Sequence, residues 1–500
     1  MSQIRKQSII STIFVYSGFV IGFLNTFLFT KKGSPFTTSA YGLTYIFISV
    51  GNLMFAFANL GMIAAVYKFH PYYEANLPKK KNDLLTWAMV VSFVGFCFVI
   101  LAGIFFKDLV IRKFGANSPI FINYYFWVFP FGFCILLFSL LEVFAWNLRK
   151  SIFTTFLREV LVKLLTLVFI VLLSFSVIPS FDAFIKFYSF TYGITALVLA
   201  LYLLHIKAFF VTFNISRVTR KFYKKIIAYA SLIYLGGVVF MIAQFIDTLV
   251  IMSLLGTGPA GIFALGTVIA GLVQAPQRGA VAASVPVLSK AWKEKDYAKI
   301  TLIYQRSGIN LLIASLGIFL LIWLSYVDAV KTFGLKTEYL QSQWIFFFLG
   351  LAKIVDLGTG VNAQIIGTSA FWRFEFVSGM ILLSLAIPLN YIMVKNLGMI
   401  GAAFSNVISF TIYNAIRIFF LKRKFNMHPF SRKTFYSIAL AFLCFALCYF
   451  MLRGIHGFGG ILIKSLAFVI LYGGSIILFN LTPDAVPVFQ NVRKRIGFSK

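Results

Sequence analysis

Apolar residues recur in long runs along almost the whole chain, and short polar or basic segments separate the runs. A helix needs about 20 mostly apolar residues to cross the hydrocarbon core of a bilayer. The pattern therefore predicts an all-α polytopic membrane protein with about fourteen transmembrane helices. The predicted spans are 8–30, 40–67, 84–106, 120–146, 153–178, 182–205, 226–254, 260–288, 304–326, 341–366, 374–395, 399–421, 434–452 and 460–480.

Lysine and arginine are distributed unevenly between alternate loops. The set of loops that includes both termini holds 28 basic residues, whereas the alternate set holds 9. Because basic loops stay in the cytoplasm, we predict that both termini are cytoplasmic. Two basic segments on that side, 289–303 and Val486–Lys500, have two open interpretations: surface helices in the headgroup region or solvated connectors.

Composition agrees with lipid as the solvent, since 60% of the residues are hydrophobic and 12% are charged. Soluble domains are about 45–50% apolar and about 25% charged. The net charge of +31 lies mainly in the short loops, so we expect membrane lipids as partners and no nucleic acid. The four cysteines lie in apolar runs away from any histidine at ligand spacing, which predicts no metal site.

A weak internal repeat links the beginning of the chain with its middle. Asn25 to Thr44, with Gly33 at the turn, resembles Asp247 to Thr267, with Gly256 at the turn. The offset predicts two pseudo-symmetric six-helix bundles, 1–221 and 222–425. Residues 426–500 would then add two transmembrane helices and a cytoplasmic tail.

Two stretches in the second half carry a family resemblance. They are GVNAQIIGTS at 360–369 and PLNYIMVKNLGMIGAAFSN at 388–406, and the segment LREV at 157–160 and the hairpin of the seventh and eighth spans also fit. Over about residues 1–480 the chain resembles the multidrug/oligosaccharidyl-lipid/polysaccharide flippase superfamily. Within that superfamily it is most similar to the polysaccharide biosynthesis, or O-antigen/oligosaccharide flippase, branch.

The resemblance implies a function. A protein of that branch would move a polyprenyl-diphosphate-linked oligosaccharide across the bacterial inner membrane by alternating access, for lipopolysaccharide or other surface polysaccharide biosynthesis. Its partner would be an anionic lipid-linked glycan, and the resemblance also allows for contact with polymerase or glycosyltransferase machinery. Locally, Gly398 and Gly401 permit a tight hairpin, which is a packing feature.

Basic residues inside the predicted spans are the first candidates for a site, because charge in a bilayer is costly and usually faces a cavity or a partner. Arg278, Lys353 and Lys163 are predicted to bind substrate, since a cationic cavity suits a diphosphate. For Lys163, an ion pair with Glu159 one turn earlier is an open alternative.

Polar and acidic residues form the second group. Asp247, Gln244 and Asp356 are candidates for ion coupling or for polar positions in a cavity. Two ion pairs are open alternatives: Asp247 with Arg278 or another basic residue, and Asp356 with Lys353, one turn earlier on the same helix. Glu142, Arg158 and Glu159 lie near the cytoplasmic ends of two helices joined by a short loop, which predicts a cytoplasmic gate network or a static one. Arg417 is expected to extend its side chain to the inner interface.

Two other functions stay open at this point. An ion-coupled multidrug or cation antiporter of the same superfamily would need an acidic cavity. A membrane glycosyltransferase or ligase would need acidic metal motifs or a long external loop, and neither is evident. No Walker A loop or other catalytic motif is found, so we expect no enzyme activity, no catalytic residue and no cofactor.

Overall fold

The computed structural model describes residues 3–484, with side chains from Ile10 onward. Helices connected by short turns make up this part of the chain. Within it, eleven helices are long and apolar enough to cross a membrane, and a bent pair adds a twelfth. The chain is thus a multi-pass α-helical membrane protein, and the predicted fold class is confirmed.

The chain divides into two compact units, Met1–Gly261 and Ile262–Lys500. The three-part division predicted from the sequence stays a prediction. The first unit contains α1 (Gln3–Thr30), α2 (Thr38–Ala58), α3 (Met62–Asn76), α4 (Leu84–Phe105), α5 (Lys107–Phe114), α6 (Pro119–Asn123), α7 (Val128–Asn147), α8 (Ser151–Phe156), α9 (Val162–Ser174), α10 (Phe181–Ser189), α11 (Thr191–His205) and α12 (Arg217–Leu254).

The helix α13 (Thr257–Val273) begins at the end of the first unit and continues into the second. The second unit then contains α14 (Ala275–Lys293), α15 (Tyr297–Thr332), α16 (Ser342–Gly358), α17 (Asn362–Thr368), α18 (Trp372–Phe425), α19 (Arg432–Met451) and α20 (Gly457–Leu478).

Three features reconcile these helices with the fourteen predicted spans. The pair α13 and α14 is one bent span. The helices α8 and α9 are joined through a π-helical turn, Leu157–Leu161, into another. The 54-residue helix α18 contains two spans, because Gly398 has φ 63° and ψ −146° and reverses the chain there. Gly398 therefore makes the hairpin turn that the sequence predicts.

Small residues let backbones approach closely in the first unit. A Cβ atom on Gly42 of α2 would lie 1.9 Å from the carbonyl oxygen of Thr257. The helix α2 also packs against α4, α7 and α12. Close packing through small residues is the usual means of association between membrane helices, where lipid supplies little hydrophobic driving force.

In the second unit, α15 is the helix on which α19 and α20 pack. The hydroxyl of Tyr472 donates to the carbonyl of Ile313 at 3.1 Å. Near one end of α15, Asp328 pairs with Lys464 at 2.5 Å. Near the other end, Arg306 pairs with Asp484 through two hydrogen bonds and lowers the pKa of that carboxyl group. Polar contacts thus hold α20 and the residues that follow it at both ends of α15.

Several predicted spans differ from the observed helices: α15 begins at Tyr297 and not at 304, and the span 341–366 is broken between Gly358 of α16 and Asn362 of α17. The span 40–67 ends at Ala58, and α3 follows a break in which Gly61 has φ 75°. A Cβ atom on Gly61 would lie 2.2 Å from the carbonyl oxygen of Ala230, so the break fits the approach of α12. The helix α12 begins nine residues before the predicted 226, at Arg217.

The segment 289–303 is neither a separate surface helix nor a loop. The helix α14 continues to Lys293 and α15 begins at Tyr297, so the segment consists mainly of two helix ends. The second segment, Val486–Lys500, lies outside the described residues.

Candidate functional site

A sharp bend separates α13 from α14, with an angle of 44° between the two helices. Gln274 lies at the break, and Pro276 occupies the first turn of α14. Proline has no backbone N–H and is well tolerated in a first turn, so this sequence favours a new helix start at the bend. The bend places the following residues, Gln277 and Arg278, at the beginning of α14.

An open cavity of about 450 Å³ lies beside this helix start. Its lining residues are Gln277, Arg278, Val281, Ala282 and Gln364. Arg278 is exposed and the two glutamines are half-buried. A guanidinium and two amide groups can all donate hydrogen bonds to an anion. None of the five lining residues is acidic, so the wall of this cavity is cationic.

The other predicted basic residue of this unit occupies a different position. Lys353 lies on α16, half-buried, with its ammonium 5.5 Å from the ring centroid of Phe410. That geometry is a cation–π contact. Lys353 is not among the residues that line the cavity around Arg278. The structure therefore does not bring the two predicted substrate-binding residues of this unit into one cavity wall.

Asp356 connects the cavity wall to buried polar groups. Gln277 donates a long hydrogen bond of 3.5 Å to one carboxylate oxygen of Asp356. Asn414 of α18 donates to the other oxygen at 3.1 Å. Gln274 in turn donates to Gln277 at 2.7 Å, across the bend. A chain of hydrogen bonds thus runs from the bend of the span to α16 and α18.

The chain of hydrogen bonds continues through Asn414, Thr359 and Asn362, which the sequence analysis did not name as candidates, to Arg417. The Asn414 amide oxygen accepts hydrogen bonds from Thr359 and Asn362, both at 2.8 Å. The Asn362 amide oxygen then accepts from Arg417 at 3.4 Å. Buried polar groups of this kind are normally hydrogen-bonded, and such networks hold their helices in one arrangement.

The position of the Arg417 side chain differs from the one predicted from the sequence. It does not extend to the inner interface, because its side chain is only 3% exposed. Its guanidinium pairs with Glu375, donates to Ser378 at 3.2 Å and lies 3.8 Å from the ring centroid of Tyr413. The reason is the hairpin within α18, which supplies a carboxylate for this arginine inside the protein.

The predicted cytoplasmic gate residues meet in the first unit. Arg158 pairs with Glu142, and Lys163 pairs with Glu159 at 3.0 Å. The Glu142 side chain is 3% exposed, whereas that of Arg158 is 43% exposed. The open alternative for Lys163, an ion pair on its own helix, is thus the arrangement observed. A role of these residues as a gate stays a prediction.

A π-helical turn underlies these two ion pairs, because Leu157–Leu161 contains both Arg158 and Glu159. Such turns are rare and frequently occur at functional sites. The helix α1 packs directly against this turn: a Cβ atom on Gly18 would lie 2.3 Å from the carbonyl oxygen of Glu159. Asn25, two turns later, donates to the carbonyl of Lys163 at 2.9 Å.

The predicted coupling residues of α12 lie one turn apart. Asp247 is half-buried, and Gln244 is exposed. The repeat that linked this region to the beginning of the chain has one structural counterpart. Gly33 and Gly256, at the two turns, both have positive φ, 73° and 102°.

The pairing of Arg417 with Glu375, which the sequence analysis did not predict, had a signal in the sequence. Glu375 lies near the beginning of one predicted span, and Arg417 lies near the end of the next. Consecutive antiparallel helices place such positions at the same membrane level. Asn362 and Asn414 carry no charge, and an uncharged amide within a predicted span gives only a weak signal in the sequence.

Comparison with known proteins gives matches by structure and not by sequence. No protein-family model matches the chain, and no curated protein matches it. Among solved structures, the lipid II flippase MurJ in an inward closed conformation matches with a TM-score of 0.72 and 18% identity, covering 94% of this chain and 99% of that one.

Multidrug transporters match over most of the chain as well. An inward-facing multidrug resistance MATE family transporter of the MOP superfamily has a TM-score of 0.65 and 15% identity, over 82% of this chain and 94% of that one. An outward-facing structure of such a transporter has a TM-score of 0.55 and 15% identity, over 83% and 95%. The chain therefore shares its fold with these solved structures, and this is the fold that the family resemblance of its sequence predicts.

Proposed function

We propose that the protein is a flippase that moves a polyprenyl-diphosphate-linked oligosaccharide across the bacterial inner membrane by alternating access. The observation that carries this proposal is the cavity wall formed by Arg278, Gln277 and Gln364 without an acidic residue. The likeness in fold to both a lipid flippase and multidrug transporters supports transport as the activity. We assign the chain to the polysaccharide biosynthesis branch on its sequence motifs.

The chemistry of the cavity suits a diphosphate. An arginine can donate two parallel hydrogen bonds to phosphate oxygens, and these charge-assisted bonds are stronger than neutral ones. The amides of Gln277 and Gln364 can add neutral donors. A volume of about 450 Å³ is enough for a headgroup but not for a whole lipid-linked glycan. In this proposal the lipid tail stays in the bilayer.

Substrate contacts of Lys353 and Lys163 are a second part of the proposal. Each is held by a partner in this structure, an aromatic ring for Lys353 and Glu159 for Lys163. A flexible lysine side chain can exchange such a contact for a phosphate oxygen when substrate arrives. The Glu142, Arg158 and Glu159 group is proposed to act as a cytoplasmic gate that opens by exchange of these ion pairs.

A coupling site for a proton or Na⁺ is proposed at Asp356, with Asp247 and Gln244 as the other candidate. Both oxygens of Asp356 accept hydrogen bonds from amides, and Gln277 links the carboxylate to the cavity wall. Loading Asp356 with a cation would change these bonds and thereby the link between α14 and α16. Both termini are proposed to be cytoplasmic, on the evidence of the basic loops.

One observation favours a second function, an ion-coupled multidrug or cation antiporter. The fold is also that of MATE transporters, and the half-buried carboxylates Asp247 and Asp356 could serve cationic substrates. The cationic wall of the Arg278 cavity argues against a cationic drug at that position. Drug-stimulated proton flux in proteoliposomes would favour this alternative.

Transport by the Arg278→Ala/Lys353→Ala variant tests the proposal. We expect the full chain, reconstituted with a fluorescent polyprenyl-diphosphate oligosaccharide, to move the label to the opposite leaflet. Removing a charge-assisted hydrogen bond costs about 1.5–3 kcal/mol, so the variant should lose about tenfold to hundredfold in initial rate.

A matched control is Lys186→Ala, which removes another lysine from a predicted span. Lys186 pairs with Asp182 and is 43% exposed, so its loss should leave transport unchanged. In cells, the double variant should abolish surface polysaccharide at normal protein level. Full activity of the double variant in both assays would overturn the assignment.

A further inference from the structure

The connection between α11 and α12 is held in place although it forms no helix. The backbone N–H of Thr212 donates to the hydroxyl of Thr86 at 3.1 Å. The backbone N–H of Ser216 donates to the carboxylate of Asp83 at 2.9 Å. Thr86 and Asp83 belong to the beginning of α4. The connection therefore runs along the end of a spanning helix, where headgroups lie.

The beginning of α12 is anchored at the same place. Asp83 is fully buried, and its carboxylate oxygen also accepts from the Thr219 hydroxyl at 2.8 Å. The hydroxyl groups of Thr219 and Tyr73 share a hydrogen bond of 2.8 Å. A carboxylate at a helix N-terminus is further stabilised by the helix dipole. These bonds give the connection and the first turn of α12 a defined orientation.

Three large apolar side chains of this connection face outward. Val211, Phe213 and Ile215 are 55%, 67% and 49% exposed. Apolar surface in water costs about 25 cal/mol for each Å². The alternate residues Thr212 and Ser216 make the hydrogen bonds to α4, so the same bonds that hold the segment turn its apolar side chains away from the protein.

The apolar side chains lie next to a dense group of positive charges. Between 207 and 225 the chain has six basic residues and no acidic residue. All six are exposed: Lys207, Arg217, Arg220, Lys221, Lys224 and Lys225. Each basic residue near an anionic leaflet contributes about 1 kcal/mol of attraction. Apolar side chains beside basic ones are typical of surfaces that lie in the membrane interface.

We infer that residues 207–225 form a docking surface for anionic phospholipid headgroups. Val211, Phe213 and Ile215 enter the boundary between headgroups and acyl chains, and the six basic residues contact the phosphates around them. The bonds from Asp83 and Thr86 present this linker surface to the lipid. Because residues 217–225 of this surface are the beginning of α12, bound lipid holds the beginning of that helix.

A second basic loop provides an internal comparison. Residues 422–433 contain five basic residues, close to the six of the linker surface. Phe430, 40% exposed, is the large apolar residue that this loop exposes within the described chain. If basic charge alone attracted lipid, the two loops would respond to anionic lipid alike.

Hydrogen–deuterium exchange of the full chain in nanodiscs tests the inference. The nanodiscs contain phosphatidylcholine alone or with phosphatidylglycerol. We expect amides of 207–216 to exchange about tenfold more slowly with phosphatidylglycerol, a factor that corresponds to about 1.4 kcal/mol. Amides of 422–433 should change less, and core amides of α7 should not change.

Two variants separate the contributions. The variant Val211→Ser/Phe213→Ser/Ile215→Ser should exchange rapidly in both lipids. The variant Arg220→Gln/Lys221→Gln/Lys224→Gln/Lys225→Gln should lose the dependence on phosphatidylglycerol. Equal exchange of the wild-type segment in both lipids would overturn the inference without any variant, and so would equal slowing of 422–433. Neither readout depends on transport, so the proposed function is tested separately.

Discussion

Each of the two units contains an arginine–glutamate pair with one buried member. The buried member is the glutamate in the first unit and the arginine in the second. In the first unit Glu142 is 3% exposed and its partner Arg158 is 43% exposed. In the second unit Arg417 is 3% exposed and its partner Glu375 is 34% exposed. The same two side-chain types thus leave opposite charges behind when the more exposed partner is removed.

The difference has a chemical consequence. A carboxylate that loses its partner in a low-dielectric site can take up a proton and become neutral. An arginine cannot lose its proton in a protein, so a buried guanidinium stays charged. The pair in the second unit should therefore depend much more on its exposed partner.

The largest effect is expected for Glu375→Gln. The substitution leaves the guanidinium of Arg417 buried with only neutral partners, such as Ser378 and Asn362. Removing one partner of a buried pair costs about 3–5 kcal/mol. We expect a large drop in the midpoint of thermal unfolding of the purified full chain, and this drop should not vary between mildly acidic and neutral pH.

A double substitution checks the origin of that loss. Adding Arg417→Met to Glu375→Gln removes the buried charge, so part of the lost stability should return. A double variant less stable than Glu375→Gln alone would show that the cost comes from lost packing and not from the uncompensated charge.

An intermediate effect is expected for Arg158→Gln. Glu142 then lies buried without its guanidinium and must take up a proton from solution. The expected loss is about 1–3 kcal/mol at neutral pH, and it should shrink as the pH is lowered, because the folded variant binds more protons than the unfolded chain. Unfolding midpoints of wild type and variant across a pH series measure this. A pH-independent deficit would contradict the proposed protonation.

The smallest effect is expected for Glu142→Gln. The head group of Arg158, 43% exposed, can be solvated or contact headgroups, so its charge does not stay uncompensated. The loss should stay within about 1 kcal/mol. The same unfolding assay checks it, with Arg158→Gln as the matched comparison. If Glu142→Gln were as destabilising as Glu375→Gln, the loss of stability would not depend on which member of the pair is buried, and the comparison would be wrong.

The proximity of Glu142 and Arg158 in the first unit could be predicted from the sequence. Glu142 and Arg158 are close in the chain, and a short loop between two spans makes neighbours of the helices that carry them. The pair in the second unit joins residues 42 positions apart. Its existence depends on the hairpin at Gly398, which the sequence does predict, and on the rotation of both helices, which the sequence leaves undetermined.

The cavity beside Arg278 likewise combines a residue that the sequence predicts with residues that only the structure reveals. The sequence pointed to Arg278 because it is a charged residue inside an apolar run. It also pointed to Lys353 for the same reason, yet Lys353 lies against Phe410 and outside that cavity wall. Gln364 and Gln277 became visible as lining residues only in three dimensions, since an uncharged amide in a span carries a weak signal.

The sequence by itself determined that this chain crosses a membrane many times, because the hydrocarbon core demands long apolar runs and helical backbone hydrogen bonding. It also determined the turns at Gly33, Gly256 and Gly398, where positive φ favours glycine. Only the tertiary structure decided that α2 ends at Ala58, that Arg417 is buried and that Asp356 bonds to Gln277. Those features depend on contacts between residues far apart in the chain. The local sequence pattern does not specify which helix faces are in contact.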